Sequence, residues 1–283
     1  MLVIILQVEA RNTKSVIMWV RDFLATHPVF TVGDFQQAHR EQGSANVQTF
    51  NSLLAYHVRQ GNIVRIRRGL LAAVPYGYTP ETVPVDPFLV TMGLSDDAVV
   101  AFHAALQFHG RAHTIHNRYQ YLTAARRRPF TFRGQDFVPV TGGVPGWHTG
   151  IDHGVVEERN AGGTVRVTTL ERTLVDVISL PQFGGGWEEV FMSLDSIEFL
   201  DVDRVVEDAV RRDSLTVART GFYLETRKGD LPIEEIHLAA LQERSPRQPS
   251  YMGPGRQRGG RLVKRWNLVV PGAILDRTWE EPG

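Results

Sequence analysis

Cysteine is absent from the 283-residue chain. This excludes disulfide bridges, thiolate zinc sites and cysteine nucleophiles, and it fits a reducing compartment. Long apolar runs are absent as well, because no stretch approaches the roughly twenty residues of a membrane span. The opening segment MLVIILQVEA lacks the basic start and the cleavage pattern of a secretory signal peptide. We therefore expect a cytoplasmic protein with no membrane partner.

Lysine is scarce, since only three of the 31 basic residues are lysine and the rest are arginine. The 31 acidic residues bring the net charge to zero, but the charges are unevenly spread. Residues 98–135 contain six arginines and residues 244–275 contain seven basic residues, and neither segment has an acid. Such local fields attract polyanions, and arginine binds phosphate and guanine better than lysine does. A GC-rich genome would produce the same arginine excess, so composition leaves nucleic-acid binding open.

The first sixty residues predict three helices in succession. Apolar residues recur at helical spacing over 13–26, and Pro28 ends this helix because the residue before proline avoids the helical region. Thr31 is a suitable cap for a second helix. A short turn containing glycine follows, and Ser44 is expected to cap a third helix at about 45–60.

Two short strands joined by an arginine-rich turn follow the third helix. In the stretch GNIVRIRRGLLAAV, Val64 and Ile66 alternate with arginines, so one face of the ribbon packs and the other is charged. Gly69 supplies the positive φ that a tight hairpin turn requires. The order helix, helix, helix, strand, strand predicts a winged helix-turn-helix domain that binds duplex DNA.

The predicted DNA contacts fall into two groups. Polar side chains on the outer face of the third helix are candidates for contacts with base edges, because glutamine pairs bidentately with adenine. They are Asn46, Gln48, Thr49 and Ser52. Arginines beside this helix and in the ribbon are candidates for phosphate or minor-groove contacts, namely Arg40, Arg59, Arg65, Arg67 and Arg68. The alternative is a small helical domain on which these side chains are ordinary surface.

The remainder of the chain predicts a larger domain of mixed structure. We expect an α+β protein with a winged helix-turn-helix domain at 1–75, a linker rich in proline and turn residues at 76–87, and a mixed α/β domain at 88–283. Thr168 and Glu171 are expected to form a capping box. Strands are expected at 118–124, 130–140 and 164–168, and helices from Asp86, from Ser95 to Gly110, and at 168–178, 187–199, 201–212, 215–226 and 233–243.

Four stretches together span most of the chain. They are RQGNIVRIRRGLLAAV at 59–74, AVVAFHAALQFHG at 98–110, TTLERTLVDVI at 168–178 followed by GGGWEEV at 184–190, and GFYLE at 221–225. These stretches, in this order, resemble the AbiEi-type antitoxins of type IV (abortive infection) toxin–antitoxin systems, which also act as transcriptional regulators.

The resemblance implies a winged helix that binds inverted repeats in the protein's own promoter and represses transcription. It also implies a second domain needed to neutralise a toxin with a nucleotidyltransferase-like fold, and it leaves open whether antitoxin and toxin touch. Two copies on an inverted repeat would match half-sites about one helical turn apart. Because no heptad seam is present, we expect a monomer in solution that pairs on DNA.

Basic side chains of the second domain are further candidates for contacts with nucleic acid or an acidic partner. They are Arg126, Arg127 and Arg128 in one group, and Arg256, Arg258, Arg261, Lys264 and Arg265 in the other. The alternative for the second group is a solvated flexible loop.

We expect no catalytic residue, metal or cofactor. His109 and His113 have the spacing of zinc ligands on a helix, but Gly110 interrupts that helix. Glu171 and Asp176 point about 140° apart on a helix, which separates them as a carboxylate pair. The glycine-rich stretch GPGRQRGG lacks P-loop spacing.

Two other functions stay open on the sequence alone. One is a nucleic-acid-processing enzyme, either a nuclease or a nucleotide-handling protein, that uses the winged helix for targeting. The absence of an acid-x-Lys nuclease motif counts against it. The other is an adaptor whose winged helix binds protein instead of DNA.

Overall fold

The computed structural model describes residues 18–42, 46–141, 152–253 and 260–277. Its packing divides the chain into two units, and the architecture is mixed α and β, as the α+β class predicts. The first unit comprises Met1–Ala98 with Glu157–Val165, and the second comprises Val99–Val156 with Arg166–Gly283. Over the described ranges, no helix is both long enough and apolar enough to cross a bilayer.

The first unit begins with three helices and a small antiparallel sheet. The strand order is β1–β3–β2, and Val29 pairs with Ala72 in the register of β1 and β3. β1 is short, and the sequence pattern did not predict it. The elements are α1 (18–26), β1 (Val29–Thr31), α2 (Val32–Glu41), α3 (Val47–Arg59), β2 (Ile63–Arg67) and β3 (Leu70–Ala73).

Local capping explains where the second and third helices begin. The Thr31 hydroxyl accepts a hydrogen bond from the Asp34 amide at 3.1 Å, and the Asp34 carboxylate accepts one from the Thr31 amide at 2.7 Å. The predicted cap at Thr31 is therefore confirmed. For α3 the cap is Asn46, whose side-chain oxygen accepts from the Gln48 amide at 2.9 Å. The cap expected at Ser44 lies outside the described residues.

An aromatic cluster forms the core of these elements. The ring of Phe35 lies 5.1 Å from Phe23, 5.8 Å from Phe30 and 5.8 Å from Phe50, measured between centroids. All four rings are buried, and Leu54, Ile63 and Leu71 pack in the same cluster. Burying each phenylalanine contributes about 1.5–3 kcal/mol to folding. This core joins α1, α2 and α3 to the sheet.

A short helix and the segment 157–165, which contains the turn of a later hairpin, complete the first unit. Residues 76–86 contain no helix or strand, in agreement with their turn-rich composition, and α4 (Pro87–Met92) follows. The Asp86 carboxylate caps α4 by accepting from the Leu89 amide at 2.9 Å, and it also accepts from the Asn160 side chain at 3.0 Å. These contacts explain why the unit extends beyond residue 75 and includes 157–165.

The second unit contains most of a mixed six-stranded sheet with the order β6–β7–β5–β4–β9–β8, of which residues 157–165 belong to the first unit. β5 runs parallel to β7, and β4 runs antiparallel to β5. The strands predicted at 118–124 and 164–168 are confirmed. The strand predicted at 130–140 is instead a hairpin of two strands, β6 and β7, and β4 and β8 were not predicted. The strands are β4 (Val99–Val100), β5 (Arg118–Thr123), β6 (Phe130–Phe132), β7 (Gln135–Thr141), β8 (Val155–Asn160) and β9 (Gly163–Thr168).

Helices pack with this sheet, and a small sheet of order β10–β12–β11 follows them. The helices predicted after residue 168 are confirmed, with ends shifted by a few residues. The elements are α5 (His103–Phe108), α6 (Leu170–Ser179), α7 (Trp187–Asp195), α8 (Val202–Ala209), α9 (Ser214–Thr226), α10 (Glu235–Arg244), β10 (Ser250–Tyr251), β11 (Arg261–Val263), β12 (Leu268–Val270) and α11 (Gly272–Leu275).

Two local predictions in the second unit are wrong. The helix expected from Ser95 to Gly110 is interrupted by β4, and only α5 is helical within it. Phe102, before α5, has φ of 57°, a conformation that burial of its ring 5.0 Å from Phe183 holds in place. The cap of α6 is Thr169 and not Thr168, because the Thr169 hydroxyl accepts from the first-turn amide of that helix.

The GFYLE stretch, which forms part of α9, fits around one tryptophan. The indole ring of Trp266 lies where a side chain at position 221 would be, since a Cβ on Gly221 would come within 2.2 Å of it. The indole nitrogen of Trp266 donates to Glu225 at 2.7 Å. The glycine therefore provides space and the glutamate provides the hydrogen-bond partner for a fully buried indole.

We expect Gly221→Ala to destabilise the protein, because the added methyl group overpacks the Trp266 ring at a cost of about 1–3 kcal/mol. Thermal and urea unfolding measure the change. Gly33→Ala is the matched control, since Gly33 also lies in a helix but its nearest neighbour is 3.4 Å from the new Cβ. Equal stability of the two variants would contradict the packing described here.

Candidate nucleic-acid interface

One face of α3 is buried and the other is exposed. Phe50, Leu54 and His57 are buried, whereas Gln48 and Ser52 are exposed. The buried residues follow helical spacing, so the exposed residues form a polar stripe along the opposite side. Asn46 and Thr49 are exposed at the start of the same helix. The side-chain oxygen of Asn46 is used in capping, which leaves its amide nitrogen for any base contact.

Tyr56 also lies on this stripe, although it was not among the residues predicted to contact DNA. It follows Gln48 and Ser52 at steps of four residues, and its side chain is 49% exposed. Helical spacing from Ser52 could have identified it. An aromatic ring at this place offers an apolar face and a hydroxyl group to a ligand.

The arginines of the ribbon formed by β2 and β3 lie on β2, the strand that follows α3, and in the turn after it. Arg65 is paired with Leu71 and Arg67 with Leu70, and the register shifts between the two pairs. Arg68 and Gly69 form the turn, and Gly69 has φ of 85°, as predicted for a tight hairpin. All of β3 is buried, so the strand supports the ribbon while β2 and the turn expose the arginines.

The charge of this surface has one sign. Residues 46–73 contain four arginines and no acid. Within the described residues, no ion pair involves Arg59, Arg65 or Arg68. The arginines predicted to contact phosphate are all exposed, namely Arg40, Arg59, Arg65, Arg67 and Arg68. A cluster of arginines in a segment that lacks acids creates a local positive field that favours a polyanion.

His57 joins α3 to the ribbon. Its Nδ1 atom accepts a hydrogen bond from the side-chain nitrogen of Asn62 at 3.0 Å, just before β2 begins. Burial lowers the pKa of His57 below its ordinary value of 6.5, which favours the neutral ring that can accept this bond.

The second-unit candidates have different surroundings. Arg126, Arg127 and Arg128 are exposed between β5 and β6, and no ion pair of the described residues involves them. Arg261 pairs with Asp276, and Arg265 pairs with both Glu225 and Glu235, which weakens these two as ligand-binding candidates. Lys264 is exposed. Arg256 and Arg258 lie outside the described residues.

Three potential metal ligands lie together in the second unit, on His103, His116 and Glu189. Glu189 Oε1 accepts hydrogen bonds from His103 at 3.0 Å, the Thr114 amide at 2.9 Å and Ser193 at 3.1 Å. The ligand atoms of the three residues lie within 4.8 Å of one another, but the two imidazole rings stack with centroids 4.1 Å apart and 14° between their planes. An ion in the plane of one ring would therefore lie out of the plane of the other. The arrangement suits hydrogen bonding better than metal coordination.

The pKa values of this cluster agree with that interpretation. Burial lowers the pKa of His103, and the Glu189 carboxylate partly opposes this effect. Burial alone would raise the pKa of Glu189, but hydrogen bonds, including those from the Thr114 amide and His103, outweigh it and lower the pKa. A neutral imidazole donating to an ionised carboxylate is therefore the stable state.

The two carboxylates of α6 belong to different surroundings. Asp176 is fully buried and accepts from Arg172 at 3.3 Å and from Arg212 at 2.9 Å. Arg212 also donates to Asp208 at 3.1 Å. Burial raises the pKa of Asp176, and the two arginines oppose the shift. Glu171 instead accepts a hydrogen bond from the backbone amide of Asp201, just before α8. The two carboxylates therefore point in different directions, as helical spacing predicts.

The histidines considered as zinc ligands in the sequence are also separated. α5 ends at Phe108, and Gly110 has φ of 65°. The ring of His109 binds the backbone oxygen of Thr168 at 2.7 Å, whereas His113 is exposed. The structure therefore does not bring His109 and His113 together on one helical face.

The comparisons with known proteins concern the fold. The sequence matches no protein-family model and no curated protein sequence. The structure is similar to the crystal structure of the RV2827C protein from Mycobacterium tuberculosis, with a TM-score of 0.64 and 17% sequence identity. The similarity covers 93% of this chain and 94% of that chain. At this identity it shows a shared fold alone.

The lowered pKa of His57 predicts a stability that depends on pH. The unfolded chain binds a proton on this ring below pH of about 6.5, and the folded chain does so only at lower pH. The stabilisation that the neutral His57 ring gives to the folded state is thus fully present above pH of about 6.5, and it is lost as the pH falls below that value. We expect urea unfolding between pH 7.5 and 5 to show a steeper loss of stability in the wild type than in His57→Gln. Equal slopes would contradict the burial of a neutral ring.

Proposed function

We propose that this protein is a DNA-binding transcriptional repressor whose first unit contains a winged helix-turn-helix. The observation that carries the proposal is the exposed surface of α3 and the ribbon, where a polar helical stripe and four arginines occur without any acid in residues 46–73. In this proposal α3 enters the major groove, and the ribbon arginines contact phosphates or the minor groove.

The order of elements supports this proposal. Three helices are followed by a ribbon, and the first strand completes the sheet beside β3. The connection between α2 and α3 is short, which suits a helix-turn-helix. Direct bonds from Gln48, Thr49 and Ser52 would then supply sequence specificity, with Tyr56 as a further contact.

We further propose that the protein is the antitoxin of a type IV toxin–antitoxin pair, in the cytoplasm, and acts without catalysis or a cofactor. The support is the resemblance of four sequence stretches to that family. Several residues of these stretches build the core of the second unit, including Phe102, Leu174 and Phe222. The operator would be an inverted repeat in the protein's own promoter, bound by two copies that are monomeric in solution.

Replacing Arg67 and Arg68 together by alanine tests the ribbon. We expect weaker binding to every duplex, because phosphate contacts carry no sequence information. The slope of log affinity against log salt should fall by about 0.9 for each phosphate that the variant no longer neutralises. Fluorescence anisotropy titrations at several salt concentrations measure both effects.

The matched control is the double variant Arg21→Ala and Arg159→Ala, which removes two exposed arginines of the same unit outside α3 and the ribbon. Its affinity and salt slope should stay close to those of the wild type. Wild-type affinity and slope in the ribbon variant would refute the proposed role of the ribbon, and an absence of salt-dependent DNA binding in the wild type would refute the repressor.

Gln48→Ala tests the reading of bases by α3. We expect a loss of about 1–3 kcal/mol in discrimination at one base pair, because a bidentate contact with adenine is removed. Binding to unrelated DNA should change little. Competition between a selected operator and its single-base variants measures the discrimination. An unchanged base preference would mean that Gln48 is ordinary helix surface.

A further inference from the structure

The second unit exposes two large apolar side chains on segments that hydrogen bonds join. Phe199 is 82% exposed although its neighbours Ile197 and Leu200 are buried, and Ile236 at the start of α10 is 70% exposed. A single exposed apolar residue is common, but apolar residues surrounded by charges are typical of interaction sites.

Two side chains hold these segments together. Arg227 donates to the backbone oxygen of Ile197 at 3.3 Å and to Asp230 at 3.2 Å. His237 accepts from the Glu234 amide at 3.0 Å through Nδ1 and binds Asp203 at 3.1 Å through Nε2. Phe199 lies four residues before Asp203, and Ile236 immediately precedes His237, so this hydrogen bond joins the two segments that expose the apolar side chains.

The charges around them are mostly negative. The exposed residues of 198–204 and 228–235 include six acids and two bases, which gives a net charge of 2 − 6 = −4. The two bases pair with two of the acids, in the pairs Asp201–Arg204 and Lys228–Glu235. Of the other acids, Asp230 pairs with Arg227 and Asp203 with His237, whereas Glu198 and Glu234 form no ion pair with the described residues. We call 198–204 with 228–236 the acidic face.

We infer that the acidic face is the docking surface for a protein partner that carries lysines and arginines around an apolar pocket. An enzyme that binds nucleotide or nucleic-acid phosphates has such a basic surface at its active site, and the acidic face would compete for it. Under the proposed function, on which this inference rests, the partner is the nucleotidyltransferase-like toxin. Neutralisation would then include direct contact, with Phe199 and Ile236 as apolar anchors.

Binding of the full chain to the purified nucleotidyltransferase-like protein encoded beside it tests the inference. Calorimetry should show binding by the wild type, and the double variant Phe199→Ser and Ile236→Ser should bind about thirtyfold more weakly, as the loss of interface hot spots predicts. The control is Ile115→Ser, which removes an 82% exposed side chain elsewhere in the second unit and should leave the affinity unchanged.

The charge of the face is tested separately. Glu198→Lys should slow association with the toxin and flatten its salt dependence, whereas Glu188→Lys, an exposed acid in the first turn of α7, should not. Far-ultraviolet circular dichroism and thermal unfolding check that each variant is folded. Addition of the toxin's nucleotide should displace the wild-type chain.

The outcomes separate this inference from the proposed function. Wild-type toxin binding that the Phe199 and Ile236 changes leave intact would overturn the inference, and so would neutralisation without any binding. Both results leave repression by α3 and the ribbon standing. Conversely, toxin binding through the acidic face without operator binding would support the inference and remove the repressor. If no nucleotidyltransferase-like protein is encoded beside this one, the identification of the partner as such a toxin is wrong.

Discussion

Burial of Phe50 and Leu54 fixes the rotation of α3 about its own axis. Both side chains pack in the cluster that contains Phe35 and Ile63, and this cluster joins the helices of the first unit to its sheet. Because the buried face is set by these contacts, the polar stripe on the opposite side faces solvent. Every proposed contact between α3 and DNA depends on this packing.

The connection from α3 to the ribbon depends on the same core. The Asn62 amide donates to the backbone oxygen of His57 at 3.0 Å, and Ile63 then enters the buried cluster. The backbone hydrogen bond of Asn62 and the burial of Ile63 thus join α3 to β2 at two consecutive residues. The buried apolar side chains therefore fix the positions of the polar stripe and of the ribbon arginines.

Patterns that are local in sequence were predicted well. Helical spacing identified α1 and α3, the cap at Thr31 identified α2, and Gly69 was assigned from the turn it must form. The exposed arginines of the ribbon were predicted from alternation along β2, although the buried residues are Ile63 and Ile66 and Val64 is only half-buried. Each of these features involves residues only a few positions apart, so the sequence alone carries the information.

Features that depend on distant partners were missed. β4 has two residues and exists because it pairs with β5 and β9, and Phe102 has positive φ because its ring fills the core. The His103–Glu189 pair spans 86 residues and has no local signal. The acidic face was also missed, since its two segments are far apart in the sequence and are joined by the side chains of Arg227 and His237. Single-sequence patterns report periodicity and caps, but not which distant segments meet.

The position of Trp266 links the folding of the second unit to its synthesis. α9 has a glycine at position 221 and a glutamate at position 225 that are both fitted to this indole. Until the ribosome has added residue 266, the groove at Gly221 is open and the Glu225 carboxylate lacks its indole donor. The core around α9 is therefore completed only after residue 266 has left the exit tunnel, whereas the residues up to 98, which form most of the first unit, are synthesised much earlier.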